Sequence, residues 1–272
     1  MAYKVIDIYR DLPRTNCGDC GKGSCFAFAS AVYLEAFPLE ECPHLNPQQH
    51  AQMAEKLVKG REEGEGRKPA SSEQALQALL GTMKKVDLGT QAERCGGQLD
   101  GEGPGVRLPF LDGTYLVTRE GVISEGGPEP TVWVKVFLLI YLTRANGRAP
   151  TGDWVSYREL PNTVSKSKSF EDCAARVSRA FEGRLDRLEE VVNSLGGMPD
   201  QFGSADRCYR FQILPRVPML LLFWDRQEEF AARASLLLDR QVLDYLDQEA
   251  IVFMAEAFAS RMLGDDLQGV VA

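Results

Sequence analysis

Residues 16–25 read Asn-Cys-Gly-Asp-Cys-Gly-Lys-Gly-Ser-Cys, and another cysteine follows after sixteen intervening residues, directly before Pro43. The four cysteines are spaced as C-x2-C-x4-C-x16-C and are Cys17, Cys20, Cys25 and Cys42. Three thiolates from one short loop and a fourth from a later segment can surround a compact iron–sulfur core. The spacing therefore predicts one [4Fe–4S] cluster with these four cysteines as its ligands.

The residues around the cysteines support the same prediction. Gly18, Gly21 and Gly23 have no Cβ, so their backbone can approach crowded cluster sulfides and offer N–H groups. We expect Cys25 at the start of a helix over residues 26–37, with the positive end of the helix dipole facing the negative cluster. Pro43 favours a turn that returns the last ligand.

A zinc ion bound by the same four cysteines is the main alternative. Structural zinc sites usually pair their ligands in two short halves, and the second short pair is missing here, which favours iron–sulfur. The chain has only two histidines, His44 and His50, and both lie beside this motif. A histidine-based zinc hydrolase, a histidine-ligated haem and a Ser-His-Asp triad are therefore all disfavoured. His44 is a candidate for tuning the cluster by a hydrogen bond, with a surface histidine as the alternative.

The composition is that of a globular protein, with 272 residues of which 44% are hydrophobic and 26% charged. A net charge of -8 argues against nucleic-acid binding, which depends on Lys and Arg. We read no secretory signal peptide and no apolar run of the ~20 residues that a membrane helix needs. The expected location is the cytoplasm, where clustered cysteines are more often metal ligands or redox groups than disulfides.

The expected organisation is a cluster-binding module over residues 1–60, a polar linker over 61–72, and an α+β domain over 73–272. In the module, Asn46 caps a helix that starts at Pro47 and ends at Gly60. The larger domain shows no internal repeat and no regular alternation of helices and strands, which favours α+β with antiparallel sheet. Its predicted elements are helices over 75–83, 170–195 and 248–263, a hairpin at Asp112-Gly113, strands over 154–157, 209–214 and 219–224, and an ambiguous segment over 132–142.

Other candidate residues have simpler interpretations. Cys95, in Arg-Cys-Gly-Gly, is a free cysteine near a turn, with a ligand, a redox thiol or a partner contact as alternatives. Cys173 and Cys208 lie in apolar patterns and are expected in the core. Pro215 and Pro218 favour a bend or an edge strand. A group of carboxylates after two aromatic residues is expected to be a solvated turn: Asp225, Glu228 and Glu229.

About 45 N-terminal residues resemble the iron–sulfur domain of the corrinoid iron–sulfur protein large subunit, the gamma subunit of the CO dehydrogenase/acetyl-CoA synthase complex. The residues that carry this resemblance are Leu12-Pro13, Asn16-Cys17-Gly18, Cys20-Gly21, Cys25-x-Ala27-x-Ala29 and Cys42-Pro43. The resemblance implies a [4Fe–4S] cluster on the same four cysteines. The chain lacks the Asp-x-His-x-x-Gly signature of a cobalamin ligand and the C-x2-C-x2-C-x3-C runs of further clusters, so neither is predicted.

The remainder is similar to a domain of unknown function found after this module in anaerobic bacteria and archaea, through Gly152–Tyr157, Leu214–Pro218 and the segment from Phe223 to Phe230. That similarity implies no activity. We therefore expect an electron-transfer protein of anaerobic metabolism that exchanges single electrons with a redox enzyme or cofactor. The alternative is a ligand- or partner-binding protein whose cluster is structural or senses redox state. The sequence shows no recognisable set of catalytic residues, so an accessory role is favoured over an enzyme.

Overall fold

The computed structural model describes residues 5–34, 37–62, 71–101 and 103–264. These residues form two compact units, and the division falls between residues 62 and 71. The first unit is helical, and the second contains both helices and antiparallel sheets. The α+β prediction is confirmed.

The first unit has three helices: α1 (Val5–Asp11), α2 (Cys25–Leu34) and α3 (Pro47–Glu62). Its core joins residues from all three helices and the segments between them: Ile8, Leu12, Cys25, Phe28, Ala29, Val32, Leu39, Cys42 and Met53. Helix α2 begins at Cys25, as predicted, and the Ser24 hydroxyl accepts a bond from the Ala27 N–H at 3.1 Å. Asn46 caps α3 as predicted, because its Oδ1 accepts the Gln49 N–H at 2.8 Å.

Two boundaries in this region differ from the prediction. Helix α3 runs through Gly60 to Glu62, so Gly60 does not end it and residues 61–62 are helical. A glycine inside a helix is only mildly unfavourable, so it does not have to stop one. Residues 71–72 begin the next helix, and residues 63–70 of the predicted linker lie outside the described residues, as do residues 35–36 of the predicted helix over 26–37.

The second unit contains six described helices and two sheets. The helices are α4 (Ser71–Met83), α5 (Leu88–Cys95), α6 (Val132–Arg144), α7 (Ser167–Phe181), α8 (Leu185–Ser194) and α9 (Gln248–Leu263). The first sheet has the order β1 (Gln98–Leu99), β2 (Gly105–Phe110), β3 (Gly113–Thr118), β4 (Val122–Gly126). The second has the order β5 (Trp154–Ser156), β9 (Arg233–Asp239), β8 (Val217–Trp224), β7 (Arg207–Leu214), β6 (Met198–Pro199). All neighbouring strands are antiparallel.

An internal repeat organises the second unit, so the prediction of no repeat is wrong. A helix, a Gly-Gly turn, a two-residue strand, a three-stranded meander and a long helix occur in that order from α5 to α6 and again from α8 to α9. The turns match in detail: the Gly97 N–H donates to Ala92 O at 2.9 Å, and the Gly197 N–H donates to Val192 O at 2.8 Å. The copies share little beyond these turn residues, which explains why the sequence did not reveal the repeat.

The aspartates after the two turns also correspond. The Asp100 N–H donates to Gly105 O at 2.9 Å, and the Asp200 N–H donates to Cys208 O at 2.8 Å. Each side chain then pairs with an arginine of the following strand, Asp100 with Arg107 at 2.8 Å and Asp200 with Arg210 at 2.5 Å. The same backbone and side-chain contacts therefore recur in both copies.

The predicted long helix over 170–195 is wrong, because the structure has two helices there, α7 and α8. Gly183 separates them with a φ of +66°, a conformation that continues neither helix. Its N–H donates to Asp225 Oδ1 at 2.7 Å. Asp225 therefore has a structural role, which differs from the solvated turn that was expected.

The remaining segments resolve as follows. The ambiguous segment over 132–142 is helix α6, capped by Thr131, and α9 has the predicted bounds.

Pro218 lies in β8, which is a central strand, so the edge prediction is wrong for it. It is tolerated because it pairs only with Gln212 beside a bulge in β7, and pairing with β9 begins one residue later. Strand β9 was not predicted.

Candidate metal centre

The four cysteines of the motif all belong to the first unit. Cys25 and Cys42 are buried in its core, Cys20 is partly buried against that core, and Cys17 is exposed. Burial therefore decreases from the helix side of the site to the loop side. A group held by all four sulfurs would be packed against the core on one side and would approach solvent on the side of Cys17.

Asn16 connects the loop to the start of α2. Its Oδ1 accepts the Cys25 N–H at 2.9 Å, and its own N–H donates to Cys25 Sγ at 3.4 Å. The Asn16 side chain and backbone therefore bond to both the backbone and the sulfur of Cys25 and fix its position at the start of α2. Asn16 itself has a φ of +52°, a left-handed conformation that Asn tolerates better than most residues.

The ligand loop turns tightly between Cys17 and Cys20. The Gly21 N–H donates to Gly18 O at 2.9 Å, and both glycines have a positive φ, +80° for Gly18 and +75° for Gly21. A side chain at either position would be strained, because L residues rarely adopt that region. Gly23 has no such φ and no atom within 4 Å of a Cβ built on it, so its expected close approach to a cluster stays a prediction.

Asp19 and His44 meet beside the exposed end of the site. Asp19 Oδ2 and His44 Nε2 are 2.7 Å apart, and both side chains are about half exposed. The hydrogen bond to His44, together with one to Cys17, lowers the pKa of Asp19. The sequence offered two interpretations of His44, a hydrogen bond to the cluster or a surface histidine. Its observed partner is Asp19, a contact that no spacing rule could reveal.

Three potential ligand atoms meet at the exposed end of the site. Among the described residues, one set of three brings potential ligand atoms within 4.8 Å of one another, and it is Cys17, Asp19 and His44.

The other cysteines are buried in the second unit. Burial raises the pKa of Cys95 to about 11, so this thiol is protonated and unreactive at neutral pH. Cys173 and Cys208 are also buried, which confirms their core placement. The Cys95 carbonyl accepts the Tyr141 hydroxyl at 2.5 Å, and the same hydroxyl accepts the Arg216 N–H at 2.9 Å. Tyr141 thus joins the two segments around Cys95 and Pro215.

The sequence did not point to one buried carboxylate, that of Asp239. Asp239 is 1% exposed and accepts the N–H groups of Thr151 at 2.9 Å, Gly152 at 2.6 Å and Gln241 at 2.9 Å. These are short backbone contacts that hold a loop against the end of β9. Its role is therefore structural, and the one available signal was a carboxylate directly after the apolar run of that strand.

The cysteine-rich first unit and the mixed second unit match two family models. The model described as "Putative Fe-S cluster" matches residues 12–44, which contain all four cysteines of the motif. The model of the domain of unknown function DUF3786 matches residues 87–261, and the chain belongs to that family. The second match lies entirely within the second unit.

Curated relatives share only the N-terminal region. The acetyl-CoA decarbonylase/synthase complex subunit gamma of Methanothermobacter thermautotrophicus is 44% identical over 46 residues, which are 17% of this chain and 10% of the relative. The same subunit of Methanocaldococcus jannaschii is 37% identical over 54 residues, 20% of this chain and 11% of the relative. The corrinoid/iron-sulfur protein large subunit of Moorella thermoacetica is 39% identical over 46 residues, 17% of this chain and 10% of the relative.

The chain thus spans about a tenth of the length of these relatives. No solved structure matches it. Among the described helices, none has the length and apolarity to cross a membrane.

Proposed function

We propose that this protein carries one [4Fe–4S] cluster on Cys17, Cys20, Cys25 and Cys42 and exchanges single electrons with a partner redox protein in anaerobic metabolism. The observation that carries the proposal is the graded burial of the four cysteines within one small unit. Burial of Cys25 and Cys42 would hold the group firmly, and exposure of Cys17 would keep one edge near the surface, where electron exchange with a partner requires it.

The chain's own residues have defined tasks in this proposal. Asn16 orients Cys25 and directs an N–H at its sulfur, and the bond from the Gly21 N–H to Gly18 O holds the tight turn in the loop that carries Cys17 and Cys20. A cluster with four thiolate ligands supplies one-electron redox chemistry and leaves no iron open for a substrate. This is the reason to propose electron transfer and not catalysis at the cluster.

The relatives support the class of protein proposed, which is an iron–sulfur protein. Their names describe subunits of an acetyl-CoA decarbonylase/synthase complex and a corrinoid/iron-sulfur protein. We propose by analogy that the second unit recognises a protein partner, and that residues 1–60 and 73–272 are separate domains. The corrinoid named in one of these relatives is not part of the proposal, because the match covers only about a tenth of the relatives' length.

The test is anaerobic purification followed by assays of iron and acid-labile sulfide and by EPR before and after dithionite. We expect about four irons and four sulfides per chain and a paramagnetic signal on reduction. Cys20→Ser should lose or alter this signal. Cys208→Ser, which changes a buried cysteine of the second unit, is the matched control and should keep it. Zinc in place of iron, with no signal on reduction, would overturn the proposal.

A structural or redox-sensing cluster is the second candidate. It is favoured by the small core of the first unit, because two of its buried residues are proposed ligands and small metal domains take folding energy from their metal. Mediated redox titration distinguishes the two candidates. Reversible one-electron reduction with the cluster intact supports electron transfer, whereas loss of the cluster on each redox cycle supports a structural or sensing role.

A further inference from the structure

The contact between Asp19 and His44 joins the two segments that carry the proposed ligands. Asp19 lies between Cys17 and Cys20, and His44 lies two residues after Cys42. The two side chains are 25 residues apart in sequence and 2.7 Å apart in space. An imidazole nitrogen, the carboxylate and Cys17 Sγ all lie within 4.8 Å of one another, so the contact sits directly beside the exposed ligand.

We propose that Asp19 and His44 act as a clasp that fixes the Cys17 loop to the Cys42 segment, and so sets the lifetime and reduction potential of the cluster. Both are positioning residues, since they would act through Cys17 and Cys42. The inference rests on the proposed function, because it concerns the same four-cysteine site. The proposed function assigns no role to either residue.

The exposed side of the site is where such a clasp matters. Residues 13–19 are all exposed, whereas the opposite side is held by the core and by the bonds between Asn16 and Cys25. Cys17 therefore has the least packing of the four cysteines and would be the first to leave a metal group. A direct contact between its loop and the segment of the last ligand opposes that release.

The contact is a direct hydrogen bond, with Asp19 Oδ2 and His44 Nε2 2.7 Å apart. An exposed ion pair contributes little to stability by itself. Partners that orient metal ligands have larger effects, about 10–100-fold on metal affinity or activity. For an exposed pair we expect the lower part of this range.

The same three atoms raise a competing interpretation, in which Cys17, Asp19 and His44 bind one divalent ion. The clasp is favoured because Asp19 and His44 are bonded to each other and because Cys17 belongs to the four-cysteine motif. The two interpretations differ in what the variants lose, iron and sulfide for the clasp or a single ion for the alternative.

The experiment compares anaerobically prepared full-length holoprotein with its His44→Ala and Asp19→Asn variants. The matched control is Glu40→Gln, which changes the other histidine–carboxylate pair of the unit, His50 with Glu40 at 3.7 Å. His44→Gln is the conservative variant, since its amide N–H can still donate to Asp19. The readouts are the rate at which a chelator bleaches the cluster, the midpoint potential and the EPR spectrum of the reduced protein.

We expect His44→Ala and Asp19→Asn to lose the cluster about tenfold faster than wild type, with a shifted potential and altered EPR spectrum. His44→Gln should recover most of the lifetime, and Glu40→Gln should match wild type. Normal iron content with unchanged lifetime, potential and spectrum in both variants would overturn the clasp alone. A wild type without iron and sulfide would instead overturn the proposed function, and a single ion lost on His44→Ala would replace the clasp by the three-ligand site.

Discussion

The two units of this chain differ in what stabilises them. The core of the first unit consists of nine buried residues among those described, and two of these are the proposed ligands Cys25 and Cys42. The core of the second unit extends across both sheets and is filled by large side chains such as Phe110, Phe211 and Phe258. A chain segment of some sixty residues buries too little apolar surface for much stability. We infer that the first unit depends on its metal group and that the second does not.

Removal of a proposed ligand should therefore give the largest difference in stability between the two units. We expect Cys25→Ser to lose the metal and to abolish the slow amide exchange of α1, α2 and α3, because the folding energy of a small metal domain comes from its metal. The second unit should unfold at an unchanged temperature. Hydrogen-exchange mass spectrometry and calorimetry measure both effects.

Cys208→Ser is the control for this experiment, since it changes a buried thiol of the second unit. It should keep the metal and the exchange pattern of the first unit while lowering the stability of the second. Slow exchange of α1–α3 in metal-free Cys25→Ser would contradict the difference proposed between the units.

Overpacking in the second unit should destabilise that unit and leave the first unit unaffected. A Cβ on Gly97 would lie 2.6 Å from Val106 Cγ1, and one on Gly197 would lie 2.6 Å from Val192 Cγ1 and 2.7 Å from the Phe211 ring. We expect either Gly→Ala change to lower the free energy of unfolding of this unit by about 2–3 kcal/mol, as overpacking does. The metal content should not change.

Gly81→Ala is the matched control, because this helical glycine has no atom within 4 Å of a built Cβ. Alanine is the better helix former, so this variant should gain up to about 1 kcal/mol. Denaturant unfolding of the second unit measures all three variants. Equal effects of Gly97→Ala and Gly81→Ala would show that the turn is not close-packed.

The comparison of the units also separates what the sequence predicted from what it did not. The cap at Asn46 and the bounds of α9 depend on residues close together in the chain, and both predictions are confirmed. At the break between α7 and α8, Gly183 bonds to Asp225, which is 42 residues away in the sequence. Because this contact is not local, the apolar periodicity alone predicts one helix where there are two. The repeat likewise depends on turn geometry that two dissimilar sequences share.

The site shows the same limit. Residue types and spacing predict the four cysteines as ligands, but they do not reveal which side of the site is buried. The contact of Asp19 with His44 depends on the path of the chain over 25 residues. Local patterns therefore predict candidate ligands, and the residues that position them become visible only in the folded chain.

Alkaline pH should lower the free energy of unfolding of the second unit by a smaller amount, through the buried thiol of Cys95. Cys95 has a pKa of about 11 when folded, against an ordinary value of 9.0, because burial disfavours its thiolate. A raised folded pKa means that its stabilising contribution is complete below pH 9 and is lost as the pH rises toward 11. We expect a loss of up to about 2 kcal/mol from this group over that range.

Urea unfolding of the second unit at pH 7, 9 and 10.5 measures this loss, with Cys95→Ala as the comparison. The variant will be less stable at pH 7 because of its cavity, but its stability should fall less steeply above pH 9. Buried tyrosines such as Tyr157, whose pKa is raised to about 12, contribute equally to both proteins and cancel in the difference. Parallel pH profiles would mean that Cys95 is not held protonated by the fold, and its inert role in the second unit would then be wrong.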